Sequence, residues 1–96
     1  IYIMIVDLNN KTDIIGKVKW YNIDLRYGFI VINIDNKEYD IFIHRNNIKS
    51  NIKYKCLFKG EYVLFDIKDI NNKTQCINVR GINNDKLLCE SNPDLL

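Results

Sequence analysis

The chain of 96 residues contains no alanine and only a modest number of leucines, two residues that strongly support long helices. Isoleucine, a β-branched residue that favours strands, is abundant instead. No segment keeps an apolar period of about 3.6 residues over several turns. These absences argue against a helical bundle and favour an all-β fold.

Histidine is scarce, and the cysteines form no metal-binding or disulfide pattern. His44 is the one histidine, so a metal site or a Ser–His catalytic pair is not expected. The three cysteines, Cys56, Cys76 and Cys89, are odd in number, widely spaced and without a Cys-x-x-Cys pair, which argues against a disulfide scaffold or a zinc site. We therefore predict no metal, no cofactor and no enzyme activity. The thiols are expected to be reduced in an intracellular, most simply cytoplasmic, protein, with Cys56 and Cys76 as small apolar core residues.

No apolar run is long enough to cross a membrane. Ile1–Val6 is too short to span a bilayer and carries no basic leader or cleavage pattern, so no membrane partner is expected. Residues 1–13 form a predicted N-terminal extension that could be an extra strand, a dimer contact or a disordered leader. Monomer and weak dimer both remain open.

The chain also lacks a strong excess of charge of either sign. It has 14 basic and 12 acidic residues, and its net charge is +2. A nucleic-acid footprint would therefore have to be a local patch. The hydrophobic fraction of 47% is sufficient for the core of one domain.

Alternation of apolar and polar residues, interrupted by turn signals, predicts a small all-β barrel or sandwich. A hairpin turn is expected at Asn71-Asn72-Lys73, and one helical or 3₁₀ turn over Arg45 to Ile48. Residues 83–96 are predicted to be a polar tail with little structure. The five predicted strands run from about Ile14 to Asn22, Tyr27 to Asn33, Tyr39 to His44, Tyr62 to Lys68 and Thr74 to Arg80.

The alternation also sorts side chains between the core and the surface. The isoleucines and valines are predicted to be core, including Val18 and the pair Ile77 and Val79. Trp20 is expected outside, which strict alternation from Val18 forbids, so a bulge is predicted near Lys19. The longest connection runs from Asn47 to Lys59. Its apolar residues Tyr54, Leu57 and Phe58 are expected to pack it against the rest of the domain. The rings left on the outer face are Tyr27, Phe29, Phe42 and His44.

The segment from Lys17 to Phe29 interleaves aromatic rings and cations. Rings stack on unpaired bases, cations hold phosphates, and the missing side chain of Gly28 is interpreted as letting a nucleotide come close. The block predicts a surface for single-stranded nucleic acid. Its rings and cations are Lys17, Lys19, Trp20, Arg26, Tyr27 and Phe29.

Several pieces of the sequence, in order from Gly16 to about Gly81, resemble a cold-shock domain. They are Gly16-x-Val18-Lys19-Trp20-Tyr21-Asn22, Tyr27-Gly28-Phe29-Ile30, Asp40-Ile41-Phe42-Ile43-His44, Ile48, Gly60-x-x-Val63-x-Phe65 and Asn78-Val79-x-Gly81. The resemblance implies a five-stranded antiparallel OB-type barrel over residues 14–82. It also implies binding of single-stranded RNA or DNA with little sequence preference. Under that resemblance Lys19 contacts phosphate, Asn22 and Asp24 brace the loop, and the base-stacking residues are Trp20, Tyr27, Phe29, Phe42 and His44.

The chain departs from the family pattern at three points near this surface. Leu25-Arg26 stands where many members have a lysine followed by a glycine, Tyr21 replaces a phenylalanine, and Arg45 replaces a ring with a cation. The long connection with Lys53-Tyr54 is more like the Y-box version. The predicted nucleic-acid-binding residues are thus Lys17, Lys19, Trp20, Tyr21, Arg26, Tyr27, Phe29, Phe42, His44 and Arg45.

The leading hypothesis is an RNA chaperone that binds unpaired strands by base stacking. Two alternatives remain open. One is a transcription regulator that binds single-stranded or melted DNA, and the other is a protein-interaction module that uses the aromatic face.

Overall fold

A computed structural model describes residues 10–91. The apolar segment Ile1–Val6 and the last residues, 92–96, lie outside the described part, so the hypotheses about them are not addressed. The elements are β1 (Ile14–Asn22), β2 (Tyr27–Ile34), β3 (Lys37–His44), β4 (Tyr62–Ile70), β5 (Lys73–Arg80) and α1 (Leu88–Ser91), with 3₁₀ turns at Arg45–Asn47 and Ile82–Asn84. Each predicted strand is present, and the predicted 3₁₀ turn follows β3.

The strands close into a barrel in the order β1-β2-β3-β5-β4, with β4 pairing back to β1. The all-β barrel is confirmed, but the prediction of a purely antiparallel sheet is wrong. β3 and β5 run parallel and pair at Phe42 and Gln75, and a parallel bridge joins Ile48 to Val79. A ring of five strands cannot alternate direction at every step, because an odd number leaves one parallel seam. That seam lies between β3 and β5.

Two hairpins build most of the barrel. Asp35 and Asn36 connect β2 to β3, and Asn71 and Asn72 connect β4 to β5. All four residues have positive φ, between 53° and 64°, as a two-residue type I′ turn requires. The predicted turn at Asn71-Asn72 is confirmed, although Lys73 belongs to the strand.

The core is filled by the inward isoleucines and valines, as predicted, together with Phe65 and all three cysteines. The prediction fails at Ile77, which is only half-buried, while its neighbour Cys76 is fully buried. Asn78 has a φ of 52°, and the β4–β5 register shifts at this point. The bulge breaks the alternation, so Val79 returns to the core without Ile77.

The segment after β5 is more ordered than predicted. Residues 83–91 turn back on the barrel and bury Leu87 and Cys89, so the expectation of little structure is wrong there. The buried carboxylate of Glu61 accepts hydrogen bonds from the amides of Phe58 and Leu88, at 3.1 and 2.8 Å. Glu61 therefore holds both the long connection and α1 to the start of β4 by hydrogen bonds. In that connection Leu57 is buried and Phe58 is half-buried against the core, as predicted. Tyr54 is exposed and does not pack against the core, so the prediction is wrong for this residue.

No helix among residues 10–91 is long and apolar enough to cross a membrane. The same part of the chain holds no group of three or more histidine, cysteine, aspartate or glutamate side chains placed to bind a metal ion.

Burial makes the three thiols poor nucleophiles, since the thiolate is the reactive form. It raises the pKa of Cys56 to about 11, with Cys89 adding to the effect, and it raises the pKa of Cys76 as well. We predict that none of the three reacts appreciably with a thiol reagent at pH 7.5 in the folded protein, and that all three react in denaturant. Time-resolved labelling followed by mass spectrometry checks this. Rapid labelling of Cys89 in native buffer would contradict the packing of α1.

Candidate functional site

A β-bulge at Lys19 sets the two sides of β1. Val18 pairs with Ile30, and Trp20 pairs with Phe29, so Lys19 is the extra residue between adjacent pairs. Val18 is therefore 1% exposed in the core, whereas Trp20 is 37% exposed on the outer surface. The bulge predicted from the conflict between these two residues is confirmed.

Gly28 has a different role from the one predicted. It faces inward and is buried, and a Cβ built on it would lie 2.2 Å from the carbonyl oxygen of Trp20 and 2.7 Å from the Cα of Tyr21. The missing side chain makes room for the backbone of β1, so the interpretation that it admits a nucleotide is wrong. Glycine here lets β2 approach the bulged part of β1.

Four rings meet on the outer surface of β1, β2 and β3. Trp20, Phe29 and Phe42 lie opposite one another on successive strands, with ring centroids 5.3 and 5.8 Å apart. Tyr27 completes the group, 5.6 Å from Trp20 and 5.5 Å from Phe42. Three of the four contacts are edge-to-face, a favourable ring geometry. We call these four residues the aromatic face.

His44 lies at the end of the aromatic face, directly across from Tyr27. Its Nδ1 atom accepts a hydrogen bond from the amide of Asn46 at 3.1 Å and so caps the 3₁₀ turn. A neutral ring that accepts at Nδ1 carries its hydrogen on Nε2. The half-buried imidazole therefore keeps one donor for another partner.

Tyr21 does not join the aromatic face. Beyond the bulge it pairs with Gly28 and its ring packs against the core. Its hydroxyl is buried and has no hydrogen-bond partner among residues 10–91, and burial raises its pKa above the ordinary value. The outward sites on this part of β1 are Lys19, Trp20 and Asn22.

The two predicted lysines of β1 have different neighbours. The Nζ atom of Lys19 donates to the carboxylate of Asp40 at 2.7 Å, which raises the pKa of Lys19 and offsets part of its charge. Lys17 lies further from the rings, with its Nζ atom 5.9 Å from the ring centroid of Tyr62. Asp40 is thus an acidic neighbour within the predicted phosphate-binding region.

The two arginines come together beyond the Tyr27–His44 pair. The amide of Arg45 donates to the carbonyl of Arg26 at 2.9 Å, and the Arg45 guanidinium donates to the carbonyl of Lys53 at 2.8 Å. They line a cleft of about 230 Å³ with Ile23, Tyr54 and Lys55. Within residues 10–91 no salt bridge engages either arginine.

The loop before β2 holds Arg26 in a left-handed conformation with a φ of 65°. The side-chain oxygen of Asn22 accepts a hydrogen bond from the amide of Leu25 at 2.9 Å, which confirms that Asn22 braces the loop. Arginine occupies here a conformation that glycine adopts more readily. The departure from the family pattern therefore places a cation at the cleft at the cost of backbone strain.

Sequence reasoning missed three side chains near the site. Lys73 has its Nζ atom 3.6 Å from the ring centroid of Phe42, a close cation–π contact. No local signal identifies Lys73, because the contact depends on the parallel seam that brings β5 beside β3. Tyr54 and Lys55 reach the arginine cleft from the long connection, where a lysine-rich composition is typical of any solvated loop.

A family model described as the 'Cold-shock' DNA-binding domain matches residues 14–82, more than half of the chain. The chain belongs to the cold-shock domain family. The family is one of nucleic-acid-binding domains, and the aromatic face lies entirely within the matched region. The ordered residues that bury Leu87 and Cys89 follow the matched region.

Bacterial cold shock-like proteins and animal Y-box-binding proteins are among the relatives. The cold shock-like protein CspB of Bacillus cereus is 42% identical over 64 residues, covering 67% of this chain and 92% of that protein. The cold shock-like protein CspA of Rickettsia bellii is 38% identical over 69 residues, covering 72% and 94%. The human Y-box-binding protein 3 is 41% identical over 73 residues, covering 73% of this chain but 19% of that protein.

The tight approach at Gly28 gives a stability prediction. Gly28→Ala is expected to destabilise the domain by about 1–3 kcal/mol, because the added methyl group meets backbone atoms that cannot rotate away. Urea denaturation followed by circular dichroism measures the change. Gly60→Ala is the matched control. A Cβ built on Gly60 has no neighbour within 4 Å, but the residue has a φ of 87°, so this variant reports backbone strain without steric overlap. A Gly28→Ala protein of unchanged stability would contradict the packing role.

Proposed function

We propose that this domain binds single-stranded RNA or DNA by base stacking on the aromatic face, with low sequence preference, and acts as an RNA chaperone. The observation that carries the proposal is the contiguous group of four rings on an outer barrel surface. Trp20 is exposed and the other three rings are half-buried, and an apolar patch on the surface of a monomer is often functional. Membership of a nucleic-acid-binding family supports the same assignment.

The geometry supports stacking more than base-specific reading. Trp20, Phe29 and Phe42 stand in a row across three strands. Trp20 and Phe29 can each present part of a ring to a base, and Phe42 does so when the Lys73 ammonium over its ring moves to a phosphate. Stacking of one base on such a ring contributes roughly 1–3 kcal/mol and tolerates any base. Several bases together therefore give a useful affinity without sequence selection.

The charges around the face support a phosphate-binding role. Lys73 lies over Phe42, and the cleft of Arg26, Arg45 and Lys55 lies beyond Tyr27 and His44. Cations on both sides of the rings suit a polyanion that crosses the face. Each phosphate contact made to a single strand adds about 0.7 to the slope of log affinity against log salt.

Chaperone activity follows from selective binding of unpaired strands. A protein that binds only the open form of an RNA shifts its folding equilibrium toward that form by mass action. The shift needs neither ATP nor covalent chemistry. Its size is set by the difference in affinity between single-stranded and paired RNA.

Trp20 is the one tryptophan of the chain, so its fluorescence reports binding at the aromatic face. Oligo-U and oligo-dT are expected to quench its fluorescence on titration, because a stacked base contacts the indole. Phe29→Ala and Phe42→Ala should each weaken binding roughly five- to 150-fold, the equivalent of losing one stacked base.

Leu88→Ala is the matched control, because it truncates an exposed apolar residue of α1 outside the aromatic face. It should bind as the parent protein does, and circular dichroism confirms that each variant is folded. Duplex RNA and DNA should bind far more weakly than single strands. Binding that Phe29→Ala and Phe42→Ala leave unchanged would overturn the proposal.

The ion pair with Asp40 keeps the Lys19 ammonium from a phosphate. Asp40→Asn is expected to release the Lys19 ammonium and to remove a carboxylate that repels phosphate. Affinity for oligo-U at low salt should rise, and the slope against log salt should steepen by up to about 0.7. Binding titrations at several salt concentrations measure both quantities.

A double-mutant cycle with Lys19→Gln isolates the pair. The part of the Asp40→Asn effect that comes from releasing Lys19 should disappear in the Lys19→Gln background, because no ammonium is left to release. The gain that remains there measures the repulsion between the Asp40 carboxylate and phosphate. If Asp40→Asn instead weakens binding, the carboxylate itself contacts the strand and the interpretation of Asp40 as a competitor is wrong.

A further inference from the structure

A second groove lies beside the aromatic face, on the outer surface of β1 next to the turn before β4. It has a volume of about 590 Å³. Its outward side chains carry one exposed ring and several lysines. The lining includes Ile15, Lys17, Lys19, Glu38, Lys59 and Tyr62.

Strand register makes this groove continuous with the aromatic face. Lys17 pairs with Tyr62 of β4 on one side and with Val31 of β2 on the other. Val31 is two residues from Phe29 on the same side of β2, a distance of roughly 7 Å along a strand. The row Tyr62–Lys17–Val31 is therefore next to the row Trp20–Phe29–Phe42.

Tyr62 is the ring that this groove offers. It is 59% exposed, although it belongs to a regular strand, so its ring contributes little to the core. The ammonium of Lys17 lies 5.9 Å from its ring centroid. A nucleotide placed here could stack its base on the ring and meet a cation with its phosphate.

The backbone that carries Tyr62 is held firmly. The preceding residue, Glu61, is buried, and its carboxylate accepts the amides of Phe58 and Leu88. The Glu61 carbonyl accepts the amide of Val18 at 2.8 Å, and the amide of Gly60 donates to the Val18 carbonyl at 2.8 Å. A ring on a backbone ordered in advance loses little entropy when a ligand stacks on it.

The charge of the groove favours an anion. Lys19 is engaged by Asp40, which leaves Lys17 and Lys59 against Glu38, the single acid among the lining residues that the structure describes. Two lysines beside one exposed ring fit a phosphate linked to a base better than they fit an apolar peptide.

We propose that Tyr62, with Lys17 and Lys59, forms an additional nucleotide subsite that extends the aromatic face of this domain toward β4. The occupant is the continuation of the same single strand, so the inference rests on the proposed function. The subsite lengthens the strand that the domain can bind and leaves the affinity for a very short strand unchanged.

Two strand lengths test the subsite. Oligo-dT of about four nucleotides lies at the short end of the range that OB folds bind, and oligo-dT of about ten nucleotides lies well inside it. Tyr62→Ala should weaken binding of the longer strand roughly five- to 150-fold and leave the shorter strand unaffected. Phe29→Ala should weaken both.

Matched variants separate stacking from structure. Tyr62→Phe keeps the ring and should bind the longer strand as the parent does, while Lys59→Gln should reduce the salt slope for that strand alone. Equal affinities of Tyr62→Ala and the parent for the longer strand would overturn the subsite and leave the proposed function standing. No binding of either strand by the parent protein would overturn the proposed function itself.

Discussion

The close approach of β2 to the bulged part of β1 is the constraint on which the aromatic face depends. Gly28 lies against the backbone at Trp20 because it has no Cβ, and the bulge at Lys19 turns Trp20 outward while Val18 stays in the core. Without the bulge, Val18 and Trp20 would share one side of the strand, and either the core or the aromatic face would lose its residue. The bulge at Lys19 thus places Val18 in the core and Trp20 on the surface.

Alternation predicted the strands and most of the core, because period-two patterning reports burial directly. It also located the bulge, since Val18 and Trp20 could not both obey it. It failed at Ile77, where the left-handed Asn78 inserts a second bulge that no local pattern marks. The parallel seam, the Lys73–Phe42 contact and the packing of Leu87 and Cys89 depend on residues distant in sequence, so reading one strand at a time could not reveal them.

The predicted site residues fall into distinct groups in space. The four rings and His44 gather as expected, whereas Tyr21 turns inward and Lys17 faces Tyr62. Composition and net charge could not foresee that Asp40 would engage Lys19, because register across three strands decides that pairing. A weakly basic chain thus arranges its cations in three places around one row of rings: beside Phe42, in the arginine cleft and along the outer edge of β1.

The asparagine-rich turns have a consequence for the order of assembly. Type I′ turns at Asp35-Asn36 and Asn71-Asn72 close two hairpins whose contacts are local in sequence, so little chain entropy is lost in forming them. Tyr27, Phe29 and Phe42 all belong to the first hairpin, and only Trp20 joins from β1. Three of the four rings of the aromatic face can therefore come together before the barrel closes. Folding φ-values that are higher at Phe42 than at Trp20 would report this order.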